Sequence, residues 1–220
     1  MKILFVGNSY TYFNDLPELI RKLSEENEIN AEVTSVTKGG WRIWRFLDLN
    51  DENTANLNSA IEKSPYDAVI LQDQSLISVL ENDRFEDGMT RMAKRLEGKT
   101  DRIILYQTWG RKQGSPAHAE TGLTYEQMAN GITSAYRKTA TDIGAELSPV
   151  GEYFYVINGK YPEIELYADD MSHPSLLGSS LAALVHFRVL YGKLPDKCNS
   201  LQLPDDVLEI FMSELSKSED

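Results

Sequence analysis

A serine and a histidine stand near opposite ends of this chain, each in a setting that favours chemistry. Near the N-terminus an apolar run ends in a small polar loop, Ile3-Leu4-Phe5-Val6-Gly7-Asn8-Ser9-Tyr10-Thr11. A serine on a tight turn from strand to helix exposes its hydroxyl and leaves its backbone N–H free. Near the C-terminus stands Asp170-Met171-Ser172-His173-Pro174. An acid three residues before a histidine can accept from one ring nitrogen while the other faces a serine. Serine, histidine and acid are what a hydrolase needs to attack an acyl carbon. Ser9 is the expected nucleophile, His173 the expected base and Asp170 the acid that orients it. Asp169 is a rival acid with the poorer spacing. The plainer reading makes Ser9 a helix cap, with Asp170 and Ser172 capping a helix that starts near Pro174. Both readings can hold at once.

The chain has three histidines. His118 lies in a long polar loop and reads as a surface residue. His186 falls inside an apolar helical pattern, so His173 is the better base. An acyl-transfer site also needs donors for the oxyanion. The Ser9 backbone N–H is one. Gly40 can bring a second backbone N–H close to a ligand, although Gly39-Gly40 also reads as a plain turn. A side-chain amide is the third. Gln72 and Gln74 share a face of an extended segment, so parity cannot choose between them. Gln74 lies nearer the rim and is preferred. Trp109, on the same rim, is the aromatic expected to pack against a bound sugar or acyl chain.

These residues must be positioned by a scaffold. Short apolar runs at Ile3–Val6, Ala31–Val36, Ala68–Leu71 and Ile103–Leu105 alternate with helical patterns. That alternation predicts a parallel α/β sheet with helices on both faces. Leu16, Leu19, Ile20 and Leu23 form one helix face, with Asp15 as the expected cap and Glu18 three residues on. Further faces run through Phe85, Met89, Met92 and Leu96; Tyr125, Met128, Ile132 and Ala135; Leu177, Leu181, Leu184 and Val185; and Val207, Ile210 and Phe211. A charged tail from Ser216 is expected to fray. Ser9, Gly40, Gln74 and Trp109 each follow a predicted strand, at the carboxyl rim where open α/β sheets bind ligands.

Length and charge narrow the partners. The 220 residues suit one domain, and net charge is -12 with no basic cluster. Nucleic acid and anionic membranes are therefore poor partners. The one cysteine, Cys198, excludes an internal disulfide and any zinc site built on several cysteines. The first apolar run is too short for a signal-peptide core or a membrane span. The expectation is a cytoplasmic protein. A secreted protein shorn of its signal would read the same.

At four points the chain resembles the SGNH hydrolase superfamily, also called GDSL-type esterases. Gly7-Asn8-Ser9 is similar to the family's Gly-Asp-Ser block, Gly40 to the glycine of its second, and Gln72-Asp73-Gln74-Ser75 to its Gly-x-Asn-Asp. Asp170 to Pro174 matches Asp-x-x-His-Pro in full. Asn8 and Gln74 depart from the family's aspartate and asparagine, as in a divergent branch of the superfamily. The resemblance implies a three-layer α/β/α sandwich with a flavodoxin-like parallel sheet. It implies ester or thioester hydrolysis without metal or other cofactor, with Ser9, His173 and Asp170 as triad. Substrates would be small esters, with short acyl groups such as O-acetyl on carbohydrate favoured. Beside a degenerate esterase relative, which Asn8 and Gln74 would suit, two other readings compete. One is a non-catalytic flavodoxin-like binder holding a phosphate at Ser9-Tyr10-Thr11. The other is a metal-dependent phosphatase using Asp73, Asp170 and His173.

Overall fold

Apolar runs of four to six residues, too short for stable helices, become the central strands of the computed structural model, which describes residues 1–217. From the N-terminus the elements are β1 (Lys2–Gly7), α1 (Ser9–Tyr12), α2 (Leu16–Glu26), β2 (Glu32–Thr37) and α3 (Glu52–Ile61). Next come β3 (Ala68–Leu71), α4 (Ile77–Leu80), α5 (Asn82–Arg95) and β4 (Ile103–Tyr106). The rest are α6 (Ala117–Thr121), α7 (Tyr125–Ile143), β5 (Glu146–Ser148), α8 (Val150–Lys160), α9 (Leu176–Tyr191) and α10 (Asp205–Ser216). The charged end of the tail, residues 218–220, lies outside the described residues.

All strand pairs are parallel, in the order β2-β1-β3-β4-β5. This is the flavodoxin-like order, so the fold is a three-layer α/β/α sandwich. Side-chain alternation divides the core. Ile3, Phe5, Ala68, Ile70, Ile104 and Tyr106 face α2, α8, α9 and α10. Leu4, Val6, Val69, Leu71 and Leu105 face α3, α5 and α7. Each of these side chains is fully buried, which stabilises by about 1.5–3 kcal/mol for every large one. The strands buried on both faces are for that reason continuously apolar.

Three local expectations are corrected. Strand β5 escaped the sequence reading because Glu146-Leu147-Ser148 is short, mixed in polarity and at the sheet edge. Asp15 does not cap α2: it has φ 54° and makes no capping bond. Asn14 is also left-handed, at φ 51°. The pair swings Asn14 toward the C-terminal part of the chain, and that contact outweighs a cap. Helix α9 starts later than expected, after Ser175, whose hydroxyl accepts from the Gly178 N–H at 3.1 Å. Among the described residues no helix is long and apolar enough to cross a membrane.

Candidate active site

The carboxyl ends of β1, β2 and β3 and the loop before α9 converge on Ser9. At the end of β1, Gly7 has no room for a side chain. A Cβ there would lie 2.5 Å from the Thr11 hydroxyl and 2.6 Å from Gln72 Oε1. The chain then turns into α1 at Asn8, whose Oδ1 accepts from the Tyr10 N–H at 3.1 Å. Ser9 is thereby the first residue of a short helix. Its backbone N–H donates to no described residue, as at any helix start.

The Ser9 hydroxyl lies 2.7 Å from His173 Nε2. The other ring nitrogen, Nδ1, meets Asp170 Oδ2. Asp170 Oδ1 accepts from the backbone N–H groups of Ser172 and His173, at 3.0 and 2.9 Å. One carboxylate therefore fixes both the imidazole and the turn that carries it. Partial burial pushes the Asp170 carboxyl up. The ring of His173 and the two backbone donors outweigh that and hold it below its ordinary value. Asp169 makes no such contact.

Aromatic rings set the imidazole plane. Phe13 stacks on His173 with centroids 4.1 Å apart and planes 10° apart. Tyr10 flanks the same ring at 5.3 Å. Asn14 clamps the turn from outside, its amide donating to the carbonyls of Pro174 and Ser175 at 3.1 and 3.0 Å. The left-handed backbone at Asn14 thus has a positioning role that a reading of helix caps could not supply.

Two buried polar side chains lace the neighbouring loops to the serine turn. Asn8 Nδ2 donates to the Trp41 carbonyl at 2.8 Å. An aspartate could not donate there, which gives the Gly-Asn-Ser departure a physical reason. Asp73 Oδ1 accepts from the N–H groups of Ile43 and Gln74, at 3.1 and 2.7 Å. The loop after β2 and the loop after β3 are thereby joined. Gly40, in the first of these loops, has φ +67°, and its N–H has no described partner. Burial raises the Asp73 carboxyl to about 7, against the pull of the two backbone donors and Arg42.

The two glutamines have separate places. Gln72 is 1 % exposed, and its Oε1 accepts from the Asn8 N–H at 2.8 Å and the Thr11 hydroxyl at 2.9 Å. It is part of the frame under Ser9. Gln74 is partly exposed; its Oε1 accepts from the Leu76 N–H at 3.1 Å. Its Nε2 has only the Ser75 hydroxyl at 3.5 Å, so it is free to donate.

Trp109 is a correction. It is 1 % exposed, stacked on Phe154 at 3.9 Å, and donates from Nε1 to the Ser172 carbonyl at 3.1 Å. It packs beneath Tyr10 as a wall of the core rather than as a surface for substrate. His118 sits in the 111–124 segment with its ring nitrogens on the Leu123 and Lys112 carbonyls, and His186 is buried against Ser148. Neither meets Ser9. Asp73 does not join Asp170 and His173, and no cluster of ligating side chains suited to a metal occurs among the described residues.

Tyr10, Phe13, Asn14 and Arg111 also shape the site, and sequence reasoning did not assign them. Only Tyr10 carried a signal, as the neighbour of Ser9.

Solved structures of similar shape bear on the class. A candidate SGNH hydrolase from Slackia heliotrinireducens superposes with a TM-score of 0.75 at 27% identity, covering 86% of this chain and 97% of that one. A DUF4886 family protein from Bacteroides uniformis gives 0.76 at 15% identity, covering 100% of this chain and 96% of that one. An acetyl xylan esterase gives 0.65 at 18% identity, covering 86% of this chain and 99% of that one. The chain has the fold of the SGNH, or GDSL-type, hydrolase superfamily. No sequence-family model and no curated relative matches it.

Proposed function

We propose that residues 1–220 work as one hydrolase domain that cleaves carboxylic esters without a metal, by a Ser9-His173-Asp170 triad. The observation that carries the reading is the 2.7 Å contact of Ser9 Oγ with His173 Nε2, with Asp170 on the far ring nitrogen. His173 Nε2 takes the hydroxyl proton as Ser9 Oγ bonds to the acyl carbon. Asp170 accepts from Nδ1 and stabilises the imidazolium. The carbonyl oxygen becomes an oxyanion, met by the N–H groups of Ser9 and Gly40 and the side-chain amide of Gln74. The tetrahedral intermediate collapses, the alcohol leaves with the proton from His173, and an acyl-serine remains. Water then gives its proton to His173, attacks the acyl carbon and releases the acid, returning the proton to Ser9.

The aromatic rings packed on the imidazole support a narrow substrate class. Tyr10 and Phe13 flank His173 closely, which suits a short acyl group such as acetyl. The acetyl xylan esterase of similar fold supports the same choice, with an O-acetylated sugar as the alcohol part. The test is turnover of p-nitrophenyl esters of graded chain length, with a fluorophosphonate probe run alongside. Acetate should be cleaved fastest. The probe should label Ser9, and Ser9→Ala should lower kcat on the order of 10⁴-fold or more. A folded, active enzyme that the probe leaves unlabelled would remove Ser9 as nucleophile.

A further inference from the structure

Arg111 joins the turn that carries Ser9 to the turn that carries His173, in an unusual state. Its Nη1 donates to the hydroxyls of Tyr10 and Ser172. Those two hydroxyls lie 2.9 Å from each other. Tyr10 follows the serine in sequence, and Ser172 precedes the histidine. The guanidinium therefore bridges the two halves of the triad, and its carbon lies 5.7 Å from the Tyr10 ring centroid.

Both partners are neutral. No carboxylate among the described residues pairs with Arg111, although the chain holds 34 acidic residues. Other charged side chains of the loops at this end of the sheet are spoken for. Lys112 pairs with Glu165, Arg42 with Glu81, and Asp170 with His173. Arg45 lies over the rings of Trp41 and Trp44. Arg111 Nε and Nη2 hydrogen-bond to no described residue, and the side chain is only partly buried. An arginine with one terminal nitrogen anchored and its other donors open is arranged to receive a planar oxyanion by two parallel bonds. The surrounding charge of -12 makes this more specific, because the protein as a whole repels anions. A local cation between the Tyr10 and Ser172 hydroxyls, beside Ser9 and His173 in sequence, offsets that repulsion at one place.

We propose that Arg111 determines specificity, and that the ester cleaved here carries a carboxylate near the scissile bond. The inference rests on the esterase reading above and narrows it to acidic esters. The carboxylate belongs to the acyl part, as in a dicarboxylic half-ester, or to the alcohol part, as in an acetylated hydroxy acid or acidic sugar.

Two matched pairs of substrates separate these sources. For the acyl side the pair is p-nitrophenyl hemisuccinate and p-nitrophenyl valerate. For the alcohol side it is 4-acetoxybenzoate and its methyl ester. The readout is the ratio of kcat/KM, acidic over neutral, in wild type, Arg111→Gln and Arg111→Lys. In at least one pair the wild-type ratio should exceed one and fall tenfold or more in Arg111→Gln. Arg111→Lys keeps the charge without the fork and should fall between. The pair that responds identifies which part carries the acid. Raising salt should lower the acidic rate more than the neutral one.

A ratio unchanged by Arg111→Gln in both pairs, in an enzyme whose Ser9 is labelled, overturns this inference and leaves the esterase reading standing. Where no ester is turned over and Ser9 is unlabelled, the esterase reading fails and anion recognition is read by binding. Succinate and 4-hydroxybenzoate are then titrated calorimetrically into wild type and the two variants. A tenfold or greater weakening of either anion in Arg111→Gln supports recognition by Arg111. Equal affinity, or no binding of either to wild type, overturns it.

Discussion

Replacing Asp73 by Asn tests the electrostatics of the lacing between the loops. The Asp73 side chain is fully buried, and its Oδ2 has no hydrogen-bond partner among the described residues. Burial lifts its pKa from 3.8 to about 7, while the N–H groups of Gln74 and Ile43 and the charge of Arg42 pull the other way. Folding thus makes Asp73 a tighter proton holder. Its contribution to stability is complete below the unfolded value and is lost as pH rises through the folded one. About three units correspond to roughly 4 kcal/mol between pH 4 and pH 8, or about 10 °C in Tm for a chain of this size. Asn keeps the Oδ1 acceptor for both backbone donors and does not ionise in this range. Urea unfolding of both proteins at half-unit steps across that range measures the difference, and groups common to both cancel. The variant should gain on wild type by about 4 kcal/mol as pH rises. A flat difference would refute the reasoning, since it would mean that Asp73 ionises inside the fold at no cost.

His186 should show the opposite slope. Burial lowers its pKa from 6.5 to about 3, so its contribution is present above the upper value and lost as pH falls toward the lower one. His186→Gln should therefore flatten acid unfolding, read by circular dichroism from pH 7 down to pH 4. Asn8→Asp removes the donor to the Trp41 carbonyl and should cost about 1–3 kcal/mol in thermal unfolding, with a fall in kcat as the Gly40 loop loosens. Gln74→Ala should lower kcat about 10²–10³-fold with stability nearly unchanged, whereas Gln72→Ala should show its main effect in unfolding by stranding the Asn8 N–H and Thr11 hydroxyl. Steady-state kinetics and denaturation on both variants distinguish the two glutamines. Trp109→Ala should cost about 3–5 kcal/mol as a core truncation, and an intact Tm with a raised KM would restore it as a binding surface.

Much of this molecule could be read before its shape was known, for reasons that differ by residue. Strands β1, β3 and β4 are apolar on both faces because helices cover both faces, and a run such as Ala68-Val69-Ile70-Leu71 announces that. Edge strand β5 has no such run. The meeting of Asp170 with His173 was legible from their spacing of three residues, and Ser9 as their partner from its residue type and its place after the first strand. The two glutamines were not separable, since both point the same way along an extended segment and only the Asn8 N–H and Thr11 hydroxyl decide between them. Trp109 was read as a rim residue from its place after a strand, but Phe154, from a distant helix, stacks against it and closes it off. Arg111 gave no signal, because an unpaired charge is a property of its surroundings and not of its sequence neighbours.

The serine and the imidazole it meets are 164 residues apart. Between them lie every strand of the sheet beyond β1, and the turn carrying His173 is held by Asn14 from one side and by the Lys112 N–H on the Met171 carbonyl from the other. A contact of such separation pays its loop-closure entropy only once the intervening elements are in place. During synthesis Ser9 is made long before Asp170 and His173. The Ser9–His173 contact is therefore a late event in folding, and its formation reports that the sheet between the two residues is already in place.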